Sequence, residues 1–349
     1  MLMNVRVGGM RSRLFFVVLA GLVALGGRAQ IEPSTYEYIV KESDTLRLDV
    51  YRRQADTLQP AVIFSFGGAW EHGDRSEGRE FLEDFAAHGY VGIGIDYRLG
   101  IRKMKESGSR PERQDFFSMY VNAIEMAVED LFDATAYVIE HAGEWGIDTS
   151  RIVLCGGSAG AINSVVGEWN VCNRSELAVS RLPEGFNYAA VIACAGGVWK
   201  VGSEMPEWPE KPCPFIIYHG TADPLVPYDS VSIAGIAALV GPKYYTKQLE
   251  ELGVSYLFHT LRGQDHTPWK SYDVASRRGE MLSFLERVFA GEEVFVVTEE
   301  VFPNMPERPI FSPFGGEPGQ GGPGDRPAGQ RPDGGQGFPR GQGGPEMVQ

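Results

Sequence analysis

Histidine and cysteine are scarce: the chain has six of the first and four of the second in 349 residues. The histidines fall in no H-E-x-x-H and keep no other ligand spacing, which argues against a metal-dependent hydrolase, and no cofactor is implied. A G-x-x-x-x-G-K-[ST] loop is missing too, so nothing is built to cradle nucleotide phosphates. Cations are outnumbered, with 32 Lys and Arg against 46 Asp and Glu for a net charge of −14, and they gather in no local stripe. Such a surface repels phosphate backbones, and nucleic acid is not an expected partner. Long apolar runs are also lacking. The stretch from Leu14 to Leu25 falls short of the roughly 20 residues that a membrane-spanning helix needs.

That short run has another reading. Arg6, Arg11 and Arg13 precede it, and Gly27-Arg28-Ala29 follows with small residues where a signal peptidase looks. Residues 1–29 are expected to be a secretory signal cut before Gln30, giving a secreted or periplasmic protein without stable membrane insertion. No cysteine follows the apolar run, so lipid attachment there is not indicated. In an oxidising compartment the cysteines can pair. Cys155 and Cys194 sit inside apolar strand-like runs, as small buried hydrophobes do. Cys172 and Cys213 are placed to bridge, although four cysteines allow three pairings.

What the chain does contain is a rhythm. "TYEYIVKE" and "TLRLDVYRR" alternate apolar and polar residues around Glu42-Ser43-Asp44, as an antiparallel hairpin does. The later runs "AVIFSF", "VGIGID", "RIVLC", "AAVIACA", "FIIYHG" and "VSYLFHTL" mostly do not alternate, which suits strands covered on both faces. Helix-like stretches separate them: "REFLEDFAAHG", "NAIEMAVEDLFDATAYVIEHAGEWG", "GAINSVVGEWN", "TKQLEELG" and "RRGEMLSFLERVFAG". The alternation implies an α/β domain over residues 30–302, with a mostly parallel sheet, an N-terminal hairpin and helices on both faces. From Pro303 to Gln349 the chain is Gly, Pro, Gln and charge, with too little apolar surface to offset ordering, and a disordered tail is expected.

The chemistry concentrates where "RIVLC" meets Gly156-Gly157-Ser158-Ala159-Gly160. A strand entering a helix through G-x-S-x-G lifts a serine out of the sheet, and the N–H of Ala159 then faces it from the positive end of the helix. A serine hydroxyl needs a base to take its proton. Among His72, His88, His141, His219, His259 and His266, the last lies in a polar loop after a late strand and can reach over the sheet edge. His259 reads as a packed strand residue, His88 and His141 as helix-end residues, and His219 as a neighbour of the site. The imidazole in turn needs a carboxylate. Asp223 follows the strand "FIIYHG", whereas Asp265 adjoins the histidine and should point away from it, so Asp223 is preferred. "IFSFGGAWEHGD" supplies converging N–H groups after the first core strand, with Gly68, Ala69 and Ala159 as candidate oxyanion donors.

"FGGAWEHGD", "IDYRLG", "AGEWGIDTSRIVLCGGSAGA", "HGTADPLVP" and "GQDH" together resemble the esterase branch of the α/β-hydrolase superfamily. The likeness is to hormone-sensitive-lipase-like carboxylesterases and to feruloyl or acetyl xylan esterases, and it covers about residues 45 to 290 in the family's order. It implies an α/β-hydrolase fold and hydrolysis of a small-molecule or carbohydrate-linked carboxylic ester through an acyl-enzyme, with Ser158, Asp223 and His266 as triad. Phe66-Gly67-Gly68-Ala69-Trp70 stands where that family usually has His-Gly-Gly-Gly-Trp. Gly100 to Tyr120 is expected to form a small cap, and the loop from Gly196 to Pro214, with Trp199 and Trp208, another wall. Trp70, Trp199 and Trp269 are candidate wall residues. Two alternatives share the pattern: a serine peptidase of the prolyl-oligopeptidase type, and a non-catalytic hydrolase-fold binding module.

Overall fold

A computed structural model describes residues 31–108, 115–202, 204–233, 236–266 and 274–302. The signal segment 1–29 and the tail 303–349 expected from the sequence lie outside these residues. In chain order the elements are β1 (Ser34–Lys41), β2 (Asp44–Tyr51), β3 (Gln59–Ser65), α1 (Arg79–Ala87), β4 (Val91–Ile95), α2 (Gly100–Glu106), α3 (Phe116–Glu140) and α4 (Ala142–Trp145). There follow β5 (Ile147–Gly157), α5 (Ala159–Cys172), α6 (Glu176–Val179), β6 (Ala190–Cys194), β7 (Val198–Val201), β8 (Phe215–Gly220), β9 (Ser230–Ile233) and β10 (Ala237–Val240). The last are α7 (Pro242–Glu251), β11 (Tyr256–Arg262), α8 (Val274–Phe289) and β12 (Phe295–Val301).

Among the described residues, nine strands form one sheet in the order β1-β2-β4-β3-β5-β6-β8-β11-β12. β1, β2 and β4 pair antiparallel and the remaining neighbours pair parallel. This is the mostly parallel sheet with an antiparallel N-terminal hairpin that the sequence implied. β5 shows why its run does not alternate. Ile152 and Leu154 enter the cluster that holds buried residues of α3, α5 and α7, while Val153 and Cys155 enter the one that holds α1 and α8. Both faces are dry there, so all four positions from Ile152 to Cys155 are apolar.

Several elements differ from the sequence reading. The segment from Gly196 to Pro214 is not all loop: β7 pairs antiparallel with β10, and β10 with β9, in a small second sheet. β12 extends the main sheet beyond β11, with Phe295, Val297 and Val301 exposed. Of the expected cap, α2 and the first turns of α3 are described. They act as a buttress, because the N–H groups of Ile101 and Arg102 donate to the Trp70 carbonyl at 3.1 and 3.3 Å.

All four cysteines are free, so the candidate Cys172–Cys213 bridge is absent. Both residues face Glu168 instead: Cys172 Sγ donates to its Oε1 at 3.3 Å, and the Cys213 N–H donates to the same oxygen at 2.8 Å. Glu168 is fully buried, and burial outweighs these hydrogen bonds and raises its pKa from 4.5 to about 7. Between those values the folded chain holds a proton that the unfolded chain has lost, so stability falls as pH rises. At about 1.4 kcal/mol per pH unit, the loss approaches 3 kcal/mol by neutral pH. Glu168→Gln is expected to flatten that slope, as measured by urea unfolding from pH 5 to pH 8, while the wild type declines up to about pH 7 and levels off above it.

Candidate active site

β5 hands over to α5 at Ser158, whose φ of 55° and ψ of −122° lie where a residue with a Cβ is strained. The neighbouring glycines make the turn sterically feasible. A Cβ on Gly160 would stand 1.9 Å from the Ser65 carbonyl oxygen of β3, and one on Gly156 would stand 2.3 Å from the Gly160 carbonyl carbon. The Ser158 N–H donates to the Cys194 carbonyl at 2.9 Å, tying the turn to the end of β6.

The loop after β11 brings His266 over this turn, with Nε2 2.7 Å from Ser158 Oγ. On the other side of the ring, Nδ1 stands 2.8 Å from Asp223 Oδ2. A carboxylate only accepts, so Nδ1 carries the hydrogen and Nε2 is left to accept from the hydroxyl. Asp223 Oδ1 accepts from the N–H groups of Leu225 and Val226 at 2.8 and 2.9 Å. Burial opposes the charge on Asp223, yet the contacts with His219 and His266 prevail and hold its carboxyl well below the ordinary range. The Asp223 side chain has no exposure, whereas His266 keeps 14% and Ser158 is half-buried. Asp265, the other sequence candidate, lies beside Gln264.

The glycine-rich loop after β3 is the most contorted backbone of the site. Gly68, Ala69 and Trp70 have φ of 105°, 54° and 58°, three successive left-handed residues. The Gly68 carbonyl accepts from the N–H groups of Glu71 and His72, and a Cβ on Gly68 would meet the His72 carbonyl oxygen at 2.1 Å. Among the described residues the N–H groups of Gly68 and Ala69 donate to no protein acceptor. The Ala159 N–H opens α5, where no intrahelical partner exists.

Where the resembled family has a histidine, Phe66 stacks on Tyr97 with centroids 4.2 Å apart, and the Tyr97 hydroxyl donates to the Phe66 carbonyl at 2.7 Å. Trp70 is 2% exposed and its indole N–H donates to Asn163 Oδ1 at 2.9 Å. It packs edge-on against Tyr120 and Trp199. The expectation of an exposed aromatic wall is therefore corrected at Trp70 and at Trp208, which is 6% exposed against Phe215. Trp199 is half-buried, and Trp269 lies outside the described residues.

Sequence reasoning passed over Tyr97 and Asn163. The signal for Asn163 was available: it is a fully buried amide inside the apolar helix that follows Ser158. His259 is 5% exposed within β11, as its apolar run implied, and His88 and His141 cap the ends of α1 and α3.

No family model matches the chain. It is 24% identical over 291 residues to a probable isoprenylcysteine alpha-carbonyl methylesterase of Arabidopsis thaliana, covering 72% of this chain and 55% of that one. Over 55 residues it is 46% identical to the esterase LipC of Mycobacterium tuberculosis, covering 15% of this chain and 14% of that one. The chain thus spans no more than about half the length of these curated relatives. Among solved structures it is similar to esterase 2 of Thermogutta terrifontis phosphonylated by cyclosarin, with a TM-score of 0.51 and 22% identity over 74% of this chain and 94% of that one. The native form of that esterase gives a TM-score of 0.51 and 21% identity over 76% and 94%. Sheet order, helix placement and these structural likenesses together show the α/β-hydrolase fold.

Proposed function

We propose that this protein is an exported serine esterase that hydrolyses carboxylic esters through an acyl-enzyme. The observation that carries the reading is the unbroken run from Ser158 Oγ to His266 at 2.7 Å and from His266 to Asp223 at 2.8 Å. His266 Nε2 takes the hydroxyl proton as Ser158 Oγ attacks the ester carbonyl, and buried Asp223 stabilises the imidazolium. Charge develops on the carbonyl oxygen, which the N–H groups of Gly68, Ala69 and Ala159 receive. The tetrahedral intermediate collapses as Nε2–H protonates the leaving alcohol. Water then attacks the acyl-serine with His266 again as base, and Ser158 is released with the acid product.

The esterase names of the similar proteins support the choice of an ester over other acyl compounds. Small-molecule and carbohydrate-linked esters are the proposed substrate classes. Export is supported by the basic, apolar and small-residue series ending at Ala29. The phosphonylated neighbour suggests the probe. A fluorophosphonate is expected to label the wild type once, on the tryptic peptide bearing Ser158, and to leave Ser158→Ala unlabelled. Intact mass of the exported protein should start at Gln30. Equal labelling of both proteins would move the nucleophile elsewhere.

A further inference from the structure

His219, fully buried at the end of β8, has no part in the mechanism above, yet it stands against its acid. Its Nε2 lies 3.1 Å from the Val226 carbonyl and 3.3 Å from Asp223 Oδ2. Both neighbours only accept, so Nε2 carries the hydrogen in the neutral ring. The Val226 carbonyl belongs to the residue whose N–H donates to Asp223 Oδ1 at 2.9 Å, so His219 holds the turn that holds the acid. The Tyr228 ring packs edge-on against the imidazole at 6.0 Å, and the charged or titratable groups facing it are Asp223 and, through Asp223, His266. Its Nδ1 is buried without a hydrogen-bond partner among the described residues. A buried ring with one unpaired nitrogen costs stability, and a plain apolar side chain would fill the space without that cost.

We propose that His219 is a positioning residue: its Nε2–H latches the Asp223–Val226 turn to the end of β8 and fixes Asp223 Oδ2 where His266 Nδ1–H can donate to it. This inference rests on the esterase reading. A misplacement of the acid by about 1 Å typically costs on the order of 10²-fold in rate. The glutamine side chain places its Nε2 the same number of bonds from the backbone as histidine does, and asparagine falls one bond short.

The test measures kcat and KM on a short aryl ester per active site titrated with the fluorophosphonate, for wild type and for His219→Leu, His219→Gln and His219→Asn. His219→Leu is expected to lose about 10²-fold in kcat with KM nearly unchanged. His219→Gln should recover most of that loss and His219→Asn should not. The low-field proton resonance of the His266 Nδ1–H to Asp223 bond should persist in wild type and His219→Gln and broaden or shift in His219→Leu. If His219→Leu does not fold, the Gln and Asn pair decides. Equal kcat in that pair, or wild-type kcat in a folded His219→Leu, overturns the latch. Failure of the wild type to titrate at Ser158 instead overturns the esterase reading.

Discussion

Ser158→Ala and His266→Ala are each expected to lower kcat on a short aryl ester by about 10⁶-fold, and the double variant should be no slower than either single one. Neither side chain can do its part without the other, since a hydroxyl without its base is a poor nucleophile and a base without its hydroxyl has nothing to activate. Asp223→Asn should cost less, about 10⁴-fold, because the ring stays in place but loses the acceptor that sets its tautomer. The residual rate is expected from the proposed oxyanion donors, the N–H groups of Gly68, Ala69 and Ala159, which remain in all these variants. Steady-state rates with Tm measured alongside separate loss of chemistry from loss of fold. Multiplied losses in the double variant would mean that Ser158 and His266 do not act as one unit, and the proposed proton path from Oγ to Nε2 would fail.

The site was legible where local backbone constraint forces the sequence. The turn at Ser158 is so crowded that Gly156 and Gly160 have carbonyl groups within about 2 Å of any Cβ, so glycine stands at both. The Gly68 turn is equally intolerant. The proximity of Asp223 and His266 to Ser158 was legible from their positions just after apolar runs, since a parallel sheet gathers the ends of its strands at one edge. The sheet itself was legible because runs such as Ile152 to Cys155 of β5 are apolar on both faces.

Non-local pairing was not legible. β9 and β10 lie in "SVSIAGIAALV", where alternation lasts only the four residues of β9 and β10 is uniformly apolar, and their partner β7 hides in a stretch rich in Trp, Pro and Glu. Only tertiary pairing makes strands of them. β12 did give a local signal, the β-branched run in "FVVTEEV", but it directly precedes the Gly- and Pro-rich segment. The sequence leaves the role of Trp70 open because a tryptophan beside a glycine loop looks the same whether it faces a substrate or Asn163. Burial with a bonded indole N–H settles that here.

A polar network joining β1 and α3 to Arg98 carries the largest stability effect. Asp130 is fully buried in α3 and accepts from the Arg98 N–H at 2.8 Å, from Arg98 Nε at 2.9 Å and from Lys41 Nζ at 2.9 Å. Glu129 joins through Arg98, Lys41 and Arg181. Burial works against the Glu129 charge, but these cations win and hold its pKa near 2 rather than 4.5, so its contribution persists above pH 4.5 and fades only as pH falls toward 2. Asp130→Ala leaves the Arg98 guanidinium, which is only 9% exposed, with Glu129 as its one remaining carboxylate among the described residues and removes the acceptor of its backbone N–H. The expected cost is about 3–5 kcal/mol. For a domain of this size that corresponds to a Tm roughly 10 °C lower. Arg98→Met in the same background should cost less than it does alone, because the Arg98–Asp130 contacts are already lost. The damage should also reach the chemistry. Arg98 follows Tyr97, whose hydroxyl holds the Phe66 carbonyl at the root of the glycine loop. Asp130→Ala assayed well below its Tm should therefore show a reduced kcat on the aryl ester, whereas wild-type kcat with a lowered Tm would confine the network to stability alone.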